Sequence, residues 1–290
     1  MPRHIEYIIP QNFDGSIVKN FLRKEMKLSA KLMRSLKHYD DGIMLNGEHI
    51  RVVDTIRAGD LLEINIPDFH GDIEPIEMPL DIVYEDDDFI VVNKYPFLAV
   101  HPTHNHQGDT LANALIHYLK TQNKPTVFRA VGRLDKGTSG IVICALNSHV
   151  ASRLPETVKK EYLAVVSGET EHTGRIEAPI YRPDSMKTIR CVDERGDYAL
   201  TYFEKISGNS DFSLVRVRIA TGRTHQIRVH FSSIGMPLAG DSLYGEDKFG
   251  LGHQLLHCAK VEFDHPVTGR HLILEAPMPD DMQKFISEHI

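Results

Sequence analysis

The hydrophobic period of this chain changes near residue 40, and that change limits it to two units of different construction. Between Ile17 and His38, Val18, Phe21, Leu22 and Met26, then Leu28, Leu32, Met33 and Leu36, recur at helical spacing. Two short helices meeting near Lys27 to Ser29 would bury that face, with Ser29 the expected cap of the second. Past Gly42 the apolar runs shorten to Ile43–Leu45, Ile50–Val53 and Leu61–Ile66, divided by Asn46-Gly47 and Gly59-Asp60. Such runs read as short strands joined by tight turns. An αα unit followed by a small twisted sheet therefore fills residues 12–68, and Pro67 to Pro79, with Gly71 and three prolines, reads as a linker. The expected organisation is a first domain over 12–70, a linker over 71–79 and a second domain over 80–290.

From Leu80 onward strand patterns dominate. Asp81–Tyr84 and Phe89–Asn93 flank the acidic turn Glu85–Asp88 as a hairpin, and Asp109 is the expected cap of a helix carrying Leu111, Leu115 and Leu119 on one face. Ile141–Leu146 and Lys160–Ser167 read as strands, and Leu214–Ile219 alternates Arg216 and Arg218 against Val215, Val217 and Ile219. Thr224 is expected to cap a helix whose core side is Ile227, Phe231 and Ile234, closed by Gly235. The fold class is α+β: a mixed, mainly antiparallel sheet with flanking helices, preceded by a small α/β unit.

Charge narrows the partners. The 290 residues carry 33 Lys+Arg against 40 Asp+Glu, a net charge of −7, so polyanion binding over the whole surface is disfavoured. Between Ile17 and His38, however, Lys19, Arg23, Lys24, Lys27, Lys31, Arg34 and Lys37 face only Glu25. Screening over about 10 Å makes this local balance the one a phosphate meets. A 41% hydrophobic content excludes wholesale disorder, and runs such as Phe89–Val92 are too short to cross a bilayer. The N-terminus lacks the apolar core of a signal peptide, so a cytoplasmic protein without a membrane partner is expected. Cys144, Cys191 and Cys258 are widely separated with no CxxC, which indicates neither a disulfide framework nor a thiolate zinc site.

Three clusters could do chemistry. In Arg133-Leu134-Asp135-Lys136-Gly137-Thr138-Ser139-Gly140 an acid stands between cations ahead of glycines that permit close approach. Asp135 is expected to be ionised; the alternative is that it only hydrogen-bonds the turn. In Gly222 to His230, His225 and Arg228 lie three apart on a helical first turn and can address one ligand, while the free N–H groups there favour an anion. Arg228 could equally pair with a surface acid. Tyr162 begins a strand entered through Lys159 and Lys160, where simple packing is the common outcome. His225 and His230 are five apart, so they diverge on a helix, and His101, His104 and His106 lie in a Pro- and Asn-containing loop. No metal is expected. GxGxxG, GxxxxGK[ST] and GxSxG are all missing from the sequence.

Together these residues resemble the RluA-type pseudouridine synthase family, with a small S4-like RNA-binding domain in front. The resemblance is carried by PLDIVYEDDDFIVVNKYPFLAVH (79–101), RLDKGTSGIVICA (133–145), KEYLAVVSG (160–168) and GRTHQIRVHFSSIGMPLAGDSLYG (222–245), with LLHCAKVEFDHPVTG near the end. Residues 14–66 resemble the S4 module through Leu28-Ser29-Ala30, Leu45-Asn46-Gly47 and Gly59-Asp60. The resemblance implies that Asp135 is the essential carboxylate, Tyr162 the aromatic that stacks on the target base, and Arg228 the cation paired with Asp135. It implies that Arg133 helps to push the target nucleotide out of its helix. Lys136, Arg223 and His225 are further candidates to meet RNA. Lys19, Arg23, Lys24, Lys27, Lys31 and Arg34 would bind RNA from the front domain. The sequence departs from the family at Gly132, where His or Asn is usual, and at Tyr95, where Pro commonly follows Asn-Lys. An isomerisation without redox change implies no cofactor, and the expected partner is ribosomal RNA or tRNA, bound by a monomer. The alternatives are an RNA-binding or ribosome-associated factor without activity and a metallohydrolase using His101, His104 and His225.

Overall fold

The computed structural model describes residues 3–28, 30–66, 73–102, 108–124 and 126–290. Near the N-terminus, β1 (Arg3–Ile8) precedes α1 (Val18–Lys24) and α2 (Ala30–Leu36), followed by β2 (Ile43–Leu45), β3 (Glu48–His49) and β4 (Leu61–Ile66). The helices form as their spacing predicts: every one of the eight apolar residues from Val18 to Leu36 named above is buried. Asn46 and Gly47 both take positive φ, 53° and 83°, the geometry of a two-residue hairpin turn between β2 and β3. Two details depart from the sequence reading. Val52 and Val53 lie in a turn rather than a strand, and β1, outside the αα-plus-sheet unit as read, is an edge strand paired along β4 in the order β1-β4-β2-β3. β1 qualifies because Ile5 meets Ile64 across the ladder and joins the core of α1 and α2. The expected Ser29 cap and residues 67–72 of the linker lie outside the described residues. Residues 73–80 run without regular structure but are fastened: Asn113 donates to the Glu74 carbonyl and Ile76 N–H donates to that of Asn113.

The second unit is built on a ten-stranded sheet. Its elements are β5 (Ile82–Glu85), β6 (Phe89–Lys94), α3 (Leu111–Thr121), β7 (Ala130–Val131), β8 (Ser139–Ala145), α4 (Ser148–Arg153), β9 (Lys159–Ser167) and β10 (Thr173–Glu177). A small hairpin, β11 (Ile180–Tyr181) and β12 (Cys191–Val192), leads to β13 (Leu200–Gly208), β14 (Phe212–Ile219), α5 (Gln226–Ser233), β15 (Leu256–Asp264), β16 (His271–Glu275) and α6 (Asp280–His289). The order β10-β13-β14-β9-β15-β8-β6-β5 is antiparallel except at β15–β8, which run parallel. β8 reads as a continuous apolar run because both of its faces are covered, so each of its seven residues is buried. On one face Leu111, Leu115, Ile227 and Phe231 join the main core, and on the other Met282 and Phe285 of α6 cover Val165 and Leu214.

Two helix starts differ from expectation. Thr110, not Asp109, caps α3, because its hydroxyl reaches the Asn113 N–H and Asn113 reaches back in a capping box. His225, not Thr224, occupies the N-cap of α5, in the left-handed region at φ 57° and without a side-chain cap. Ile234 is exposed rather than on the core side, since α5 ends at Ser233 and Gly235 turns the chain away at φ 77°.

Candidate active site

Sheet register brings distant stretches together. Cys258 on β15 pairs with Gly140 of β8 on one side and with Tyr162 of β9 on the other. The loop ahead of β8 and the start of β9 therefore lie about 10 Å apart, two strand spacings. Gly140 is required there: it has φ 102°, and a Cβ would overlap the Cys258 carbonyl oxygen. The loop is fastened by Thr138 N–H donating to the Asp135 carbonyl and by Gln254 donating to the Thr138 hydroxyl at 2.9 Å. Beneath it, the Lys94 ammonium donates to the Tyr95 and Lys136 carbonyls at 3.0 and 3.1 Å. Burial pushes this ammonium down to about 7, with the Asp135 carboxylate pulling the other way.

α5 supplies the counter-charge. The Arg228 guanidinium donates from Nη1 to Asp135 Oδ2 at 3.0 Å, and from Nε and Nη2 to both oxygens of Asp241 at 2.7 and 2.8 Å. Asp241 is fully buried and also accepts the N–H groups of Leu243 and Tyr244. Arg228 therefore has two acids to orient it in a fork geometry. The Tyr244 ring lies 5.0 Å below the guanidinium carbon. Its hydroxyl accepts the Arg190 N–H at 2.9 Å and meets His225 Nδ1 at 2.7 Å. The other ring nitrogen, Nε2, faces Asp135 Oδ1 at 3.8 Å. Burial lowers the His225 pKa, which favours the neutral ring.

Asp135, Arg133, Tyr162, Arg223, His225 and Arg228 all line one cavity of about 290 Å³. Tyr162 is buried, with its hydroxyl against Cys258, and burial raises its pKa well above the ordinary value. The carboxyl of Asp135 keeps 27% exposure, so it can reach a bound molecule while paired to Arg228. Lys136 is exposed on the same loop but does not line the cavity. Lys19, Arg23, Lys24, Lys27 and Arg34 are exposed on the first unit, away from its apolar core; the side chain of Lys31 lies outside the described ones. The sequence reading missed Asp241, Tyr244 and Lys94 as parts of the site. The Gly-Asp of AGDSLYG and a lysine ending the apolar run of β6 were the signals that could have found them.

The metal reading can be placed in part. His101 packs edge-on against Phe128, and His104 lies outside the described residues. Among the described residues, the groups with metal-ligand spacing are His4, Glu6 and Glu63, and Asp86, Asp88 and His265, none of which lines the cavity.

The profile of a family described as RNA pseudouridylate synthase matches residues 88–233, which include Asp135, Tyr162 and Arg228. The RNA pseudouridine synthase YjbO of Bacillus subtilis is 37% identical over 273 residues, covering 90% of this chain and 95% of the relative. This chain belongs to the RluA-type RNA pseudouridine synthases. The ribosomal large subunit pseudouridine synthase D of Zymomonas mobilis is 34% identical, covering 89% of this synthase and 88% of its own length. Human RNA pseudouridylate synthase domain containing 1 shares the fold with a TM-score of 0.57 and 28% identity, covering 72% of this chain and 86% of its own. The synthase is thus an isomerase acting on uridine in RNA.

Proposed function

We propose that the synthase isomerises specific uridines in structured RNA, with ribosomal RNA favoured over tRNA, through Asp135 as its essential carboxylate. The observation that carries this is the accessible Asp135 carboxyl held at 3.0 Å by Arg228 in a cavity that also presents Tyr162. In the reaction the N1–C1′ bond breaks, a C5–C1′ bond forms, and the proton on C5 is exchanged for one on N1, so no net oxidation occurs. An ionised carboxylate serves either as nucleophile or as base in that sequence. Arg228 keeps it aimed, and Asp241 keeps Arg228 in place. The target base leaves its stack at a cost of a few kcal/mol, of which stacking on Tyr162 returns roughly 1–3 kcal/mol.

Ribosomal RNA is favoured because the relatives named as ribosomal large subunit synthases cover most of this chain, and because the cationic face of α1 and α2 suits a folded RNA. That face acts as an S4-like RNA-binding module, and the protein works as a cytoplasmic monomer without a cofactor. Pseudouridine mapping of total RNA tests this. Sites lost on deletion of the gene should return with the wild-type gene and stay absent with Asp135→Asn. Return of the sites with Asp135→Asn refutes the assignment, and losses confined to tRNA refute the ribosomal target.

A further inference from the structure

Two lysines enter β9, and they meet different fates. Lys159 pairs with Glu262 at 2.9 Å. Lys160 faces the opposite way, on the same side of the strand as Tyr162, and lines the active-site cavity with a half-buried side chain. Among the described residues its ammonium makes no hydrogen bond or ion pair, and the adjacent Glu161 is occupied on the other face by Arg216 and Arg218. The nitrogen sits against Gly132: a Cβ built there would lie 3.1 Å from Nζ and 3.8 Å from Cε. Gly132 has φ 76°, a conformation that disfavours any side chain, so the backbone itself keeps this space open.

The cavity's charge then has a simple arrangement. Arg228 is neutralised by Asp135 and Asp241, and Arg223 lies 3.8 Å from Asp197 and donates to the Tyr198 carbonyl. Among the described residues, half-buried Lys160 and exposed Arg133 are the lining cations that remain without a carboxylate partner. A half-buried ammonium is best compensated by a formal anion. Uridine is neutral, so the anions a flipped nucleotide brings are its phosphates. We propose that Lys160 holds a phosphate flanking the target uridine, and that Gly132 reserves the room for its ammonium. This rests on the reading of the cavity as the uridine site.

Ribosomal RNA from cells lacking the gene, tritiated at uridine C5, serves for both binding and turnover. Lys160→Met should raise KM about tenfold with kcat within about twofold, and make the log affinity against log salt slope shallower by about 0.7 to 0.9, the increment for one neutralised phosphate. Lys160→Arg should keep the wild-type slope. Gly132→Asn should raise KM in the wild-type background and add nothing on top of Lys160→Met. Thermal melting reports folding of each variant. An unchanged KM and slope in Lys160→Met, or a collapse of kcat at constant KM, overturns the assignment; additive effects of the two substitutions overturn the role of Gly132. Should wild type release no tritium from this RNA, it is the target reading that fails, and the binding slopes still judge Lys160.

Discussion

The Arg228 guanidinium is divided between an acid that can reach substrate and one that cannot, and each has a separate consequence. Asp241→Asn leaves a carboxamide unable to accept both Arg228 donors, and breaking one side of a buried pair costs about 3–5 kcal/mol. We expect kcat to fall about a hundredfold with little change in KM, together with a lower melting temperature. Combined with Arg228→Met, Asp241→Asn should have no further effect on turnover; an independent loss would contradict a role exerted through Arg228. Gly140→Ala sets a methyl group on the Cys258 carbonyl and should cost several kcal/mol in a denaturant titration, whereas wild-type stability would show that β8 and β15 can separate. The motif around Asp135 stood out by composition, whereas Tyr162 and Arg228 read locally as packing or a surface pair and were singled out only by the family resemblance; the structure lines one cavity with all three. Asp241 and Lys94 were not legible, since their roles arise from carbonyls and guanidinium groups that only folding brings near them.

Among elements, the α1–α2 pair shows how far pattern alone reaches. Its apolar spacing placed all eight core residues and left Lys19, Arg23, Lys24, Lys27 and Arg34 outward. Replacing Lys19, Arg23 and Lys24 with Gln should flatten the salt dependence of RNA binding by about 0.7 to 0.9 for each phosphate that is no longer neutralised, with kcat at saturating RNA unchanged. An unaltered slope measured by filter binding would remove this face from the interface. Pattern fell short where several residues offer the same local chemistry. Asp109 and Thr110 are both good caps, and the Asn113 side chain decides between them. At α5 the left-handed turn at His225 comes with an approach of its ring to Tyr244 and Asp135, which a local reading of Thr224 does not contain.

At the scale of the molecule, the β8–β15–β9 order joins an acid from one motif, a tyrosine from another and an arginine from a third into one cavity. Burial in this unit also carries a pH dependence. His149 of α4 is buried, with its pKa lowered to about 4 from 6.5 chiefly by desolvation. The unfolded chain therefore takes up this proton first as pH falls, so stability drops from pH 6.5 toward 4 by about 3 kcal/mol. His149→Gln should remove that part of the difference between urea midpoints at pH 7 and pH 4.5; an equal acid loss in the variant would contradict it. The central claim concerns one carboxylate, and tritium release from C5-labelled ribosomal RNA by purified protein tests it most directly. The account predicts release by wild type and none above background by an Asp135→Asn protein that still binds the RNA; comparable release by the two proteins would contradict it.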